Sequence, residues 1–136
     1  MNLSDTWSHL SPAVAWHLVT AIAALLLGPL ALWLPKGAPG HRIAGRVWLV
    51  AMLGAAISSF FIHGRHLPHV AGFGPIHLLS VAALVGIGLG LWHILRRNVQ
   101  RHRRVMRFTY GAVVVAGLMT LLPQRLLGSS LLAVLS

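Results

Sequence analysis

The chain has 136 residues, 57% of them hydrophobic and 9% charged, with eleven basic side chains against a single acidic one, Asp5. Covering a water-facing surface takes roughly a quarter charged residues, so most of this chain is expected to be solvated by lipid. It has no cysteine, which excludes disulfides, thiolate metal sites and cysteine nucleophiles.

The formal charge of +10 does not point to nucleic acid, because the arginines fill short gaps between apolar runs and do not line a polar face. Anionic lipid headgroups are the expected partners of these arginines. No basic segment precedes the first apolar run, so that run is expected to persist and not to be cleaved as a signal peptide.

Ser11-Pro12 reads as an N-cap followed by proline at the first helical position, where a missing N–H costs nothing. The first span is predicted over 13–34 and is stopped by Pro35-Lys36-Gly37-Ala38-Pro39-Gly40. About 22 residues at roughly 1.5 Å each cross a bilayer core. Gly28-Pro29 predicts a kink, tolerable in a bundle where a neighbour satisfies the freed carbonyl. Further spans are predicted over 43–62, 75–95 and 105–122. The apolar tail 126–136 is too short to cross again and is expected to lie on the membrane surface.

The gaps 35–46 and 96–107 carry Lys36, Arg42, Arg46, Arg96, Arg97, Arg101, Arg103, Arg104 and Arg107, whereas the other side has Arg65 and Arg125. Nine against two predicts that both termini lie outside. Arg96, Arg97, Arg101 and Arg104 read as topology determinants, and Trp33, Trp48 and Trp92 as an aromatic belt.

The chain also reads as built twice. His17-Leu18-Val19-Thr20 matches His77-Leu78-Leu79-Ser80, Leu32-Trp33 matches Leu91-Trp92, His41-Arg42 matches His102-Arg103, and Arg46 matches Arg107. The expected fold is all-α: one integral membrane domain over 1–136, a four-helix bundle of two repeated helical hairpins, 13–62 and 75–123, N-out and C-out. Two-span units imply a parallel repeat about an axis along the membrane normal, with the first and third helices diagonal across the core.

Small and polar residues mark the inward faces of membrane helices. The predicted stripes are His17, Thr20, Ala24 and Gly28 on the first helix, and Gly45, Leu49, Met52, Ala56, Ser59 and His63 on the second. The third carries His77, Ser80, Leu84 and Gly88, and the fourth Met106, Tyr110, Val113, Gly117, Thr120 and Gln124. The outer third should gather His17, Thr20, Ser59, His63, His77, Ser80, Thr120 and Gln124.

Two readings of His17 and His77 stay open: a fastener bonding a hydroxyl of a neighbouring helix, or a pair of axial ligands to haem b. His41 and His102 sit beside arginines at headgroup level, where a solvated histidine is ordinary. Their matched positions also make them candidate haem ligands, with His93 as a replacement. Arg42, Arg46, Arg103 and Arg107 could pair haem propionates or a phosphate-bearing lipid. His63, His66 and His69 form a His-x-x-His-x-x-His run able to hold zinc or copper. No span contains an acid, which argues against a hydrolase and against a carboxylate proton relay.

Several stretches together resemble the bacterial predicted membrane proteins of the domain-of-unknown-function 2306 family. They are His17 with Gly28-Pro29, His41-Arg42-Ile43-Ala44-Gly45-Arg46-Val47-Trp48, Met52, Ser58-Ser59-Phe60, Pro75-Ile76-His77-Leu78-Leu79-Ser80, His102-Arg103-Arg104-Val105-Met106 and Pro123-Gln124-Arg125. The resemblance implies a compact multi-helix protein of the bacterial inner membrane and supplies no activity. A looser likeness, in histidine placement alone, is to small dihaem b-type cytochromes.

Three functions are expected from these features. The first is histidine-ligated haem binding for electron transfer or haem handling. The second is a cofactor-free accessory subunit packed against a larger respiratory or photosynthetic complex, or against further copies of itself. The third is a histidine-lined transition-metal site for metal delivery.

Overall fold

Helix α1, Pro12–Trp33, begins where a serine can cap it: the Ser11 hydroxyl accepts from the Val14 amide at 3.4 Å, with proline in the first turn. The computed structural model describes residues 10–62 and 75–121. It places three more helices, α2 Pro39–Ser59, α3 Pro75–Leu95 and α4 Val99–Thr120. Helices α2 and α4 start several residues before the predicted spans, because a helix need not stop at the hydrocarbon edge. Pro39 opens α2, and the Asn98 side chain accepts from the Arg101 amide at 3.1 Å to cap α4. The segments 63–74 and 122–136, with the surface tail expected there, lie outside the described residues.

Each turn at the basic end relies on a left-handed residue, Gly37 (φ 85°) in one and Arg97 (φ 55°) in the other. At the second turn Asn98 N–H donates to His93 O and Arg97 N–H to Ile94 O, both at 2.9 Å. That pair of bonds closes the end of α3 as a Schellman motif.

The helices form an up-down ring. Helix α1 packs most extensively along α2, and α3 along α4, while α2 meets α3 and α1 meets α4 to join the two hairpins. The core holds Ala24, Trp48, Ala51, Met52 and Ile87, with Tyr110, Met106 and Val113 packed against it. Trp48 was expected in the aromatic belt and instead lies in this core, since its indole N–H donates to Ala24 O on α1 at 3.0 Å. Trp33 and Trp92 are exposed, as a belt requires.

Burial runs opposite to that of a water-soluble protein. Most of the buried residues are alanine, glycine or serine, and Ser59 is 0% exposed, while Trp33 is 84%, Phe108 76% and Leu26 72% exposed. Such continuous apolar exposure in water would be an aggregation surface; in lipid it carries no penalty, and close backbone approach decides the interior. Helices α1, α2 and α3 are long and apolar enough to cross a membrane. In α4 the arginines reach Arg107, so the described apolar part begins only at Phe108.

The predicted inward stripes hold for Ala24, Gly28, Met52, Ala56, Ser59, His77 and Ser80, all buried. On α3 the stripe then departs from expectation: Gly88 is exposed, while Gly86 and Gly90 are buried against Thr109 and Met106 of α4. The true contact line follows close helix crossing, which a list of small residues does not specify.

Candidate functional site

The chain turns back sharply after α1 and after α3, so the first turns of α2 and α4 face the last turns of the helices before them. At both places a histidine reaches across. His41 Nδ1 donates to Ala31 O at 2.9 Å, and His102 Nδ1 donates to Gly90 O at 2.8 Å. A carbonyl can only accept, so in each ring Nδ1 carries the hydrogen, and in the neutral form of the ring Nε2 is the nitrogen with the lone pair. Both rings are half-buried. Lys36 adds to the first arrangement: its ammonium donates to Ala31 O at 3.3 Å, to Leu34 O at 3.1 Å and to Leu32 O. These bonds satisfy carbonyls left open at the end of α1.

The two histidines line one cavity of about 490 Å³ at the basic end of the bundle. Its apolar wall includes Leu49, Leu91, Ile94, Met106, Trp48 and Tyr110. Five cations also line it, namely Lys36, Arg42, Arg46, Arg103 and Arg107. No described residue is acidic. Lys36 has its pKa pushed down from the ordinary lysine value, first by burial and then by the charges of Arg103 and Arg107. The cations therefore act on one another across the α1–α4 seam. Gly45 also faces this cavity, and a Cβ there would meet open space.

The opposite end is built differently. His17 Nδ1 donates to Ala55 O at 2.8 Å, and the Ser58 hydroxyl donates to the same carbonyl at 3.0 Å. His77 is buried with its ring 5.7 Å from that of Phe60, and the Ser59 and Ser80 hydroxyls share a hydrogen bond of 2.6 Å. Thr20 and Thr120 spend their hydroxyls on their own helices, on Trp16 O at 2.8 Å and Gly117 O at 2.6 Å. Among the described residues the expected outer gathering includes two sets of contacts, one between α1 and α2 and one between α2 and α3. Neither described cavity is lined by His17 or His77.

His63, His66, His69 and Gln124 lie outside the described residues, and among the described ones no group of three or more metal-ligating side chains occurs. His93 packs its ring 5.0 Å from Trp92, over which Arg96 also stacks at 5.1 Å, and it does not line the cavity. Two participants escaped sequence reasoning. Lys36 looked like part of a helix-breaking loop, and Tyr110 like one member of a packing stripe. The signal for Tyr110 was present as Gly28-Pro29, which calls for a donor and for room beside a glycine.

No curated protein and no solved structure matches the chain. A family model, that of the predicted membrane protein DUF2306, matches residues 14–132. With both hairpins inside that match, the chain belongs to the DUF2306 family of predicted membrane proteins.

Proposed function

We propose that this membrane protein binds haem b at the basic end of its bundle through His41 and His102, for electron transfer or haem handling. The observation that carries the reading is that two imidazoles line one cavity, each with Nδ1 already given to a backbone carbonyl. Ligating histidines are commonly oriented this way, the second nitrogen fixing tautomer and ring direction.

The donor set fits haem in three respects. Two neutral imidazoles are a donor set that would hold haem iron. The cavity of about 490 Å³ is apolar-walled and falls within the roughly 300–1,000 Å³ of small-molecule sites. Arginines at its edge suit the two propionates. Haem would supply one-electron chemistry; the chain would orient the imidazoles, exclude water with Leu49, Leu91, Ile94 and Met106, and neutralise carboxylates with arginine. Support gathers on His41 and His102 over His17 and His77, for which no shared cavity is described.

The matching contributions of the two hairpins support a parallel repeat. His41, Arg42 and Arg46 line the cavity from α2, and His102, Arg103 and Arg107 line it from α4. The charge asymmetry supports N-out, C-out insertion in a bacterial inner membrane with the cavity at the cytoplasmic side.

The test is an absorption spectrum of the gently purified protein, oxidised and reduced, after expression with ample haem. A Soret band is expected, lost in His41→Ala and in His102→Ala, and kept in His17→Ala. Gly45→Leu should abolish it by filling the cavity while leaving helical content unchanged. Wild-type protein without a Soret band would sink this reading.

A further inference from the structure

We propose that the cationic edge of this cavity seats the phosphate of an anionic phospholipid from the adjacent leaflet, and that this headgroup clasps the two hairpins together. The proposal goes beyond haem binding and does not need it.

Arg42 and Arg46 are spaced i, i+4 on α2, and Arg103 and Arg107 are spaced the same way on α4, so each pair shares a helix face. Like charges at that spacing repel within a helix. The two pairs and Lys36 then line one cavity, which adds repulsion between hairpins. The depressed Lys36 registers that repulsion from Arg103 and Arg107. Nothing in the described chain answers it, because none of those residues is acidic.

Both helices that carry the arginines begin at this end, and neither has an acid in its first turn. Helix N-termini favour anions, so the backbone field has the same sign as the side chains. The four arginines are exposed and can each present two parallel N–H groups to phosphate oxygens. A lipid is the fitting source of that phosphate. The neighbouring side chains Trp33, Ile43 and Phe108 are apolar and exposed, a surface for acyl chains and not for water. Two haem propionates would neutralise two of the five positive charges, leaving three to attract a phosphate.

The experiment is native mass spectrometry of the full chain in detergent, titrated with phosphatidylglycerol, phosphatidylcholine or inorganic phosphate alone. It is repeated in the His41→Ala, His102→Ala protein, so that failure of haem binding and failure of lipid binding read out separately. Phosphatidylglycerol is expected to bind at least about tenfold tighter than phosphatidylcholine, in both backgrounds, as loss or gain of one charge-assisted contact would allow. The double change Arg42→Gln, Arg103→Gln should remove that preference, while Arg96→Gln, Arg104→Gln, with the same loss of charge, should keep it. Equal loss in both doubles would mean diffuse attraction and would overturn the proposal. Displacement of phosphatidylglycerol by millimolar inorganic phosphate would overturn the lipid as occupant and assign the edge to free phosphate. Should the glutamine double fail to fold, Arg42→Lys, Arg103→Lys keeps the charge and loses the fork geometry. A severalfold weakening there supports the seat, and unchanged affinity overturns it.

Discussion

The Tyr110 hydroxyl donates to the carbonyl of Leu25 at 2.9 Å, across the seam between α4 and α1. Leu25 lies four residues before Pro29, which has no N–H to offer that carbonyl. The tyrosine therefore replaces a missing helix bond, and α1 runs on through Gly28-Pro29 without interruption. Tyr110→Phe should leave the carbonyl unpaired in an apolar interior and destabilise the protein by about 0.6–1.7 kcal/mol. In a Pro29→Ala background residue 29 regains its N–H, so the same change should cost close to nothing. Unfolding of the four variants in detergent measures the coupling; equal costs in both backgrounds would show that the hydroxyl acts elsewhere.

Gly28 and Gly45 should respond in opposite directions to the same substitution. A Cβ at Gly28 would overlap the Tyr110 ring, whereas one at Gly45 would meet nothing. Gly28→Ala is expected to destabilise by about 1–3 kcal/mol through overpacking at the hairpin seam. Gly45→Ala is expected to stabilise, toward the roughly 1 kcal/mol by which alanine exceeds glycine in a helix. Thermal midpoints of the two proteins in the same detergent check the sign of each.

Arg97 occupies the left-handed position of the α3 cap, at φ 55°, where a side chain costs roughly 1–2 kcal/mol. Arg97→Gly should raise stability by up to about that amount, and Arg97→Ala should not. A glycine variant no more stable than wild type would show that the arginine side chain offsets the backbone strain through a contact of its own.

Lys36 is the only lysine in the chain, so its titration can be followed by amine-specific labelling at pH steps and peptide mass spectrometry. Burial, then Arg103 and Arg107, hold its pKa below the ordinary lysine value. Labelling should therefore reach half-rate at lower pH in the folded protein than in the unfolded one, and Arg103→Gln should shift that midpoint upward. The sign for stability follows from the same shift. Below the folded-state pKa the lysine is charged in both states and the folded state bears the full penalty. As pH rises through the folded pKa toward the unfolded one, that penalty is relieved, so the Lys36 contribution makes folding more favourable with rising pH. A folded midpoint at or above the unfolded one would contradict the burial of this amine among cations.

A reporter fused after Ser136 tests orientation. Nine basic residues in the gaps 35–46 and 96–107, against Arg65 and Arg125, predict that the fusion is active only if it reads the outer compartment. Activity of a cytoplasmic reporter at that position would reverse the assignment of both faces.

Sequence alone determined the solvent and the helices. One acid in 136 residues and apolar runs of membrane length leave few alternatives to a helical membrane protein, and local signals such as Ser11-Pro12 mark where a helix starts. Gly28-Pro29 even announced that a neighbour must supply a donor, because proline chemistry is local. Tertiary structure decided which neighbour supplies it, since Tyr110 is 85 residues from Leu25. It likewise decided what the basic-end histidines touch. His41 and His102 read both as headgroup-level histidines and as candidate haem ligands because their depth was legible and their partners were not; the carbonyls of Ala31 and Gly90 come within reach only when each chain turn folds back on the preceding helix. Trp48 shows the same limit, an aromatic at belt depth whose rotation about α2 turns it into the core. Composition and period constrain how deep a residue lies and which face it shares; the crossing of four helices determines what that face meets.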